Sequence, residues 1–127
     1  YVILGLGGKK YSEEHVKETA RVLTEINPTI FRFRTLNILP FSELWDEWKN
    51  GDFELLSPVE NLIEEREIIA NLGDNVTSQM FNDHMSNYID VETDNIRNDR
   101  EKVIIILDSL INNPKIQKLP RRNLTRM

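Results

Sequence analysis

The sequence predicts an α/β fold with a parallel sheet, and three observations predict it. Strand-like apolar runs at 1–6, 29–36 and 76–81 alternate with amphipathic helical patterns. The connections between them are short. Each strand-like run is also followed by a helical pattern, the arrangement of crossover units, which join parallel strands. Three strands make an incomplete sheet with two edges of unpaired backbone groups, so partner strands are expected upstream.

Residues 1–6 read as a strand buried on both faces, because Val2-Ile3-Leu4 is continuously apolar and Gly5, Gly7 and Gly8 close it. The chain opens in mid-strand with no Met before it, which leads us to expect the downstream part of a larger polypeptide. Ser12 reads as a helix N-cap with Glu13 and Glu14 in the first turn. Val16, Ala20, Leu23 and Ile26 follow at helical spacing until Asn27-Pro28 stops them. In the second strand, Thr29 to Leu36, Arg32 and Arg34 alternate with Ile30, Phe31 and Phe33. Two arginines on one strand face need solvent, carboxylates or a ligand opposite them.

Pro40 ends that strand, and Phe41 to Trp48 reads as a short helix carrying Leu44, Trp45 and Trp48 before the Asn50-Gly51 turn. Ser57-Pro58-Val59-Glu60 is a capping box with proline at the first helical position. Its helix has Val59, Leu62, Ile63, Ile69 and Leu72 as apolar stripe and Gly73 as C-terminal cap. After the third strand comes a polar loop holding Asp83, His84, Ser86, Asn87 and Tyr88. Residues 94–112 read as a helix because Leu110 and Ile111 continue the stripe begun by Val103 to Leu107. Residues 1–112 thus form one domain, and 113–127 a loosely ordered tail.

Composition narrows the function classes. Sixteen basic against twenty-one acidic residues give a net charge of -5, so nothing general attracts nucleic-acid phosphate or anionic lipid. The basic cluster Lys115 to Arg126, with Lys118, Arg121 and Arg122, reads as a solvated end. No apolar run approaches the roughly 20 residues that span a bilayer. The 127 residues contain no cysteine, hence no disulfide, thiolate nucleophile or iron-sulfur ligand, which suits a soluble, cytoplasmic protein. Asn75-Val76-Thr77 and Asn123-Leu124-Thr125 match the glycosylation pattern but are discounted.

Familiar site motifs are incomplete. Gly5-x-Gly7 invites a dinucleotide-binding reading, but Lys10 stands where the third glycine belongs and no acidic residue ends the next strand. The preferred reading is that Gly5, Gly7 and Gly8 simply let the backbone turn. His84 follows a strand, at the end where parallel folds bind ligands, or else sits in a loop whose polar groups satisfy the turn. His15 reads as solvent-exposed. A hydrolase with His84 as base lacks a nucleophile.

Taken together, several segments resemble the second half of a radical S-adenosylmethionine (SAM) enzyme of the elongator-subunit and oxygen-independent coproporphyrinogen oxidase-like type. They are Ile3-Leu4-Gly5-Leu6-Gly7-Gly8, the helix start Glu14 to Ala20, Ile26-Asn27-Pro28, Arg34-Thr35-Leu36 with Pro40, and Asp83-His84-x-Ser86-Asn87-Tyr88. The resemblance covers residues 1–112 and implies the C-terminal portion of an incomplete (β/α) TIM-like barrel with terminal helices. It implies SAM and a [4Fe-4S] cluster in the full-length protein, where reductive cleavage of SAM yields a 5'-deoxyadenosyl radical. The cluster's CxxxCxxC motif is absent here. By resemblance Gly5, Gly7 and Gly8 approach SAM, Leu36 and Asn37 line its adenine side, and Arg34 pairs with a carboxylate of SAM or substrate. His84 and Asn87 face the substrate, which is unknown. The partner implied is the upstream half of the same polypeptide, with an edge-mediated homodimer in isolation. The competing class is a non-catalytic α/β binding or interaction module, for which Phe41, Trp45 and Trp48 on a surface helix are the feature.

Overall fold

Three short strands, Val2–Leu4 (β1), Ile30–Thr35 (β2) and Gln79–Phe81 (β3), lie parallel in the order β1-β2-β3. The computed structural model describes residues 1–121. Arg122, Arg126 and the Asn123-Leu124-Thr125 pattern lie outside the described residues. Val2 stands opposite Phe33 and Leu4 opposite Thr35, while Ile30 meets Gln79 and Arg32 meets Phe81.

Side chains alternate across a strand, so this register sorts them into two unlike faces. Val2, Leu4, Phe31, Phe33 and Met80 are buried on one face, under Ala20 and Leu23 of α1 (Ser12–Ile26). Ile68 and Ile69 of α3 (Pro58–Ala70) and Val103 and Leu107 of α4 (Ile96–Ile111) complete that layer. Ile3, Ile30, Arg32, Arg34, Gln79 and Phe81 stay outside the core on the other face. The first strand is therefore buried on one face only, not on two; Ile3 is 36% exposed.

Of the two open edges expected, β3 loses its own. Met80 and Thr93 exchange backbone hydrogen bonds of 2.9 and 3.1 Å in an antiparallel bridge. At β1, Leu4 turns its carbonyl to β2, where the Leu36 N–H meets it at 2.9 Å, so Ile3, one residue back, turns its own outward. His15 Nε2 lies 2.9 Å from that oxygen. His15 is thus half-buried against the strand edge rather than exposed, because helix α1 runs alongside β1.

Three helix ends differ from the sequence reading. Tyr11, not Ser12, is the N-cap of α1, and the Ser12 hydroxyl instead donates across to Glu64 Oε2 at 2.6 Å. Phe41 precedes the next helix, α2 (Glu43–Lys49), which Ser42 caps; Phe41 has φ 68° and is 99% exposed, while Trp45 and Trp48 meet edge to face at 5.3 Å. α3 ends at Asn71 rather than at Gly73. Gly73 serves close packing: a Cβ there would stand 2.5 Å from Thr24 Cγ2.

Other expectations are met. Ser57 and Glu60 form the reciprocal capping box, with bonds of 3.2 and 3.0 Å. Ser57→Ala is expected to lower stability by about 1 kcal/mol in urea unfolding. In α4, Val103 and Leu107 are buried while Ile105 is 68% exposed, a period of four that a strand would not show. Beyond it α5 (Pro114–Gln117) packs against α3 and α4 at the start of the expected tail. No helix among the described residues is long and apolar enough to cross a membrane.

Candidate functional site

The carboxyl ends of β1 and β3 are tied to α3, whose buried face is partly polar. Asn61, Glu64 and Glu65 are at most 4% exposed, the two glutamates one helical turn and Asn61 two turns before Ile68 and Ile69. Glu64 accepts the Gly5 N–H at 2.7 Å and the Ser12 hydroxyl, so one carboxylate fastens the end of β1 to the start of α1. Asn61 donates from Nδ2 to the Ser57 carbonyl at 3.2 Å, which fixes its amide and leaves Oδ1, beside Gly5, buried without a hydrogen bond among the described residues. The enclosed space there, edged by Gly5, Leu36, Leu55, Leu56 and Tyr88, is about 10 Å³. That volume takes roughly one water.

The glycine loop folds onto the chain itself. A Cβ on Gly7 would stand 2.9 Å from Tyr11 Cβ, and one on Gly8 2.8 Å from the Glu54 carbonyl oxygen. Gly8 also has φ +63°. Gly8→Ala combines left-handed strain with a backbone collision, so its expected cost is about 1–3 kcal/mol in thermal or urea unfolding.

Next to Glu64 on α3, Glu65 accepts from Asn82 Nδ2 at 2.5 Å, while Glu65 Oε2 and Asn82 Oδ1 have no hydrogen-bond partner among the described residues. Complete burial pushes the Glu65 carboxyl up to about 8, and the Asn82 hydrogen bond offsets that only in part. At neutral pH the group is a carboxylic acid.

The polar loop after β3 completes β2. Beyond Arg32, where pairing with β3 ends, Ser86 Oγ accepts the Thr35 N–H at 3.1 Å and Asn87 Nδ2 donates to the Phe33 carbonyl at 2.8 Å. Thr35 Oγ1 in turn donates to Asn87 Oδ1 at 3.0 Å. These side chains substitute for a neighbouring strand, so Asn87 is held at the sheet edge. His84 Nδ1 accepts the Ser86 N–H at 3.1 Å and lies 2.7 Å from Ser86 Oγ. The neutral imidazole therefore carries its proton on Nε2.

On the helix-free face a hollow of about 320 Å³ is lined by Tyr1, Arg32, Phe33, Arg34, Asp83, His84 and Met85. Arg32 pairs with Asp83 at 3.0 Å and lies over the Phe81 ring at 4.3 Å. Arg34 lies over the Tyr1 ring at 4.3 Å, makes no ion pair among the described residues, and keeps Nε buried and unbonded. The predicted residues thus divide: Gly5 and Leu36 share the strand ends, Arg34 and His84 share this hollow, and Asn37 Nδ2 donates to the Thr35 carbonyl at 3.1 Å.

Family models, curated proteins and solved structures give no match to this chain.

The sequence reading missed Glu64, Glu65, Asn61 and Asn82. The first three carry a readable signal: with Ile68 and Leu72 they fall at the three- and four-residue spacing of one helix face. No group of three or more metal-ligating side chains occurs among the described residues.

Proposed function

We propose that this chain forms the SAM- and substrate-facing C-terminal part of a radical SAM oxidoreductase barrel. The observation that carries the proposal is the sheet order. Three parallel strands follow one another in sequence order with their helices on one face only, and the other face is left without helices. One half of a doubly wound sheet shows the same run of strands, but its bare face is covered by helices of the other half, whereas a β/α barrel continues the advance and closes its bare face on itself. The alternating arginines on that face support the same reading, since an inner wall that faces ligand is polar at its centre.

The cofactors fit unequally. A [4Fe-4S] cluster does not fit these residues, because the chain has no cysteine; its ligands belong to the upstream half of the polypeptide. For SAM, the unbonded Asn61 Oδ1 beside Gly5 suits a ligand donor, but a space of about 10 Å³ does not admit a nucleoside. The proposal therefore rests on the sheet and draws no contact at the glycine loop. When bound to the cluster, SAM supplies the hydrogen-abstracting radical. The chain's part is to hold the strand ends through Glu64 and to keep solvent from the enclosed end with Leu55 and Leu56.

The test is the reading frame of the native gene ahead of the Tyr1 codon. An in-frame CxxxCxxC about half a barrel upstream is expected; a start codon with no such motif overturns the enzyme reading. A non-catalytic binding module is the second reading, favoured by the apolar groove of about 520 Å³ between β1 and α1, lined by Ile3, Leu6, Val22 and Ile26. A module predicts a cooperative melt and one defined oligomer for the isolated chain, and a severed barrel predicts association through the β1 edge.

A further inference from the structure

We infer that the hollow on the helix-free face is a binding site for a small carboxylate with an apolar or aromatic body. The two arginines of β2 point to the same face but differ in state. Arg32 is neutralised by Asp83, whereas Arg34 has no acidic partner among the described residues. Its contact with Tyr1 uses the flat face of the guanidinium. Stacking leaves the in-plane N–H groups unspent, and that edge matches a carboxylate in a two-pronged pair.

The second group is His84. Both hydrogen bonds from Ser86 go to Nδ1, so the neutral ring offers Nε2–H as a donor, and its side chain lines the same hollow. Ser86 is itself fixed by the Thr35 N–H, which holds the imidazole at the end of β2. One guanidinium and one imidazole N–H suit a single planar anion. Tyr1 and Met85 supply apolar wall for the rest of the ligand, while Phe33 borders the hollow only through its backbone, its ring being buried in the core on the other face. The guanidinium edge fits a phosphate as well as a carboxylate; the carboxylate is chosen because the exposed Tyr1 and Met85 side chains suit an apolar body, and because the glycine loop, packed against Tyr11, Phe53 and Glu54, adds no backbone nest for a phosphate. The inference stands on this geometry alone, so it holds or fails independently of any SAM chemistry.

The test is a titration of the ¹⁵N-labelled chain with sodium benzoate and, separately, inorganic phosphate, at constant pH and ionic strength. Saturable shifts of the Arg34 Nε–H and His84 ring nitrogen signals with benzoate are expected. Arg34→Gln should weaken benzoate by about tenfold or more, the loss expected for a charge-assisted pair. Arg34→Lys should retain part of the affinity, and Arg32→Gln should change it by less than about twofold, since Arg32 is already spent on Asp83. The wild-type shifts locate the site even if a variant fails to fold. Absence of saturation at Arg34, or unchanged affinity in a folded Arg34→Gln, overturns the site; phosphate binding more tightly than benzoate at the same two residues overturns the carboxylate assignment.

Discussion

Phe33→Ala is expected to remove about 3–5 kcal/mol of stability, the range for emptying an aromatic from a closed core. Phe33 is fully buried at the centre of β2 and meets Phe31 edge to face at 5.5 Å and 87°. The layer of helices rests on this pair, so little around it is free to collapse into the gap. Domains of this size have about 5–15 kcal/mol in total, so the variant should unfold at a small fraction of the wild-type urea concentration or fail to fold. A loss under about 1 kcal/mol would contradict the assignment of this face as the core. The same change should disturb the hollow, since Arg32 and Arg34 flank Phe33 on the strand.

Glu65 gives the second large effect, through pH. Its carboxyl stands near 8 in the folded protein against an ordinary value of 4.5. Below about pH 4.5 both states hold the proton and the preference is fully present. As pH rises from there the unfolded chain gives up its proton while the folded one keeps it, so stability falls until pH passes about 8. The slope is at most ~1.4 kcal/mol per pH unit. Glu65→Gln keeps the shape and removes the titration. Urea midpoints for the two proteins at pH 4, 6 and 8 should diverge, the variant gaining on the wild type at each step. Parallel profiles would mean that Glu65 ionises in the folded state as it does in water.

How far the sequence could be read depends on which interactions are local. The capping box at Ser57, the Asn27-Pro28 stop and the helical identity of α4 were legible because neighbours in sequence decide them. Ser12 was misplaced because its hydroxyl answers to Glu64, 52 residues away. His15 was misjudged for the same reason, its partner being an edge carbonyl of β1. The stripe of α3 included Ile63, which is 41% exposed, and omitted Glu64 and Glu65, which are buried. An apolarity rule cannot find carboxylates that are buried because a strand end or an asparagine meets them. At the site, Arg34 and His84 were picked out as ligand-facing, but the contrast between a paired Arg32 and an unpaired Arg34 needed Asp83 in place. Asn87, expected to face substrate, has its amide bonded to the β2 edge, a role that strand pairing ending at Arg32 makes necessary.

The proposal that these strands belong to a radical SAM barrel is tested most directly by product analysis. The polypeptide encoded by the complete reading frame, purified without oxygen and supplied with iron, sulfide, a reductant and SAM, should release 5'-deoxyadenosine and methionine in equal amounts, and only when reductant is present. A folded protein that binds no iron-sulfur cluster and leaves SAM intact would contradict it.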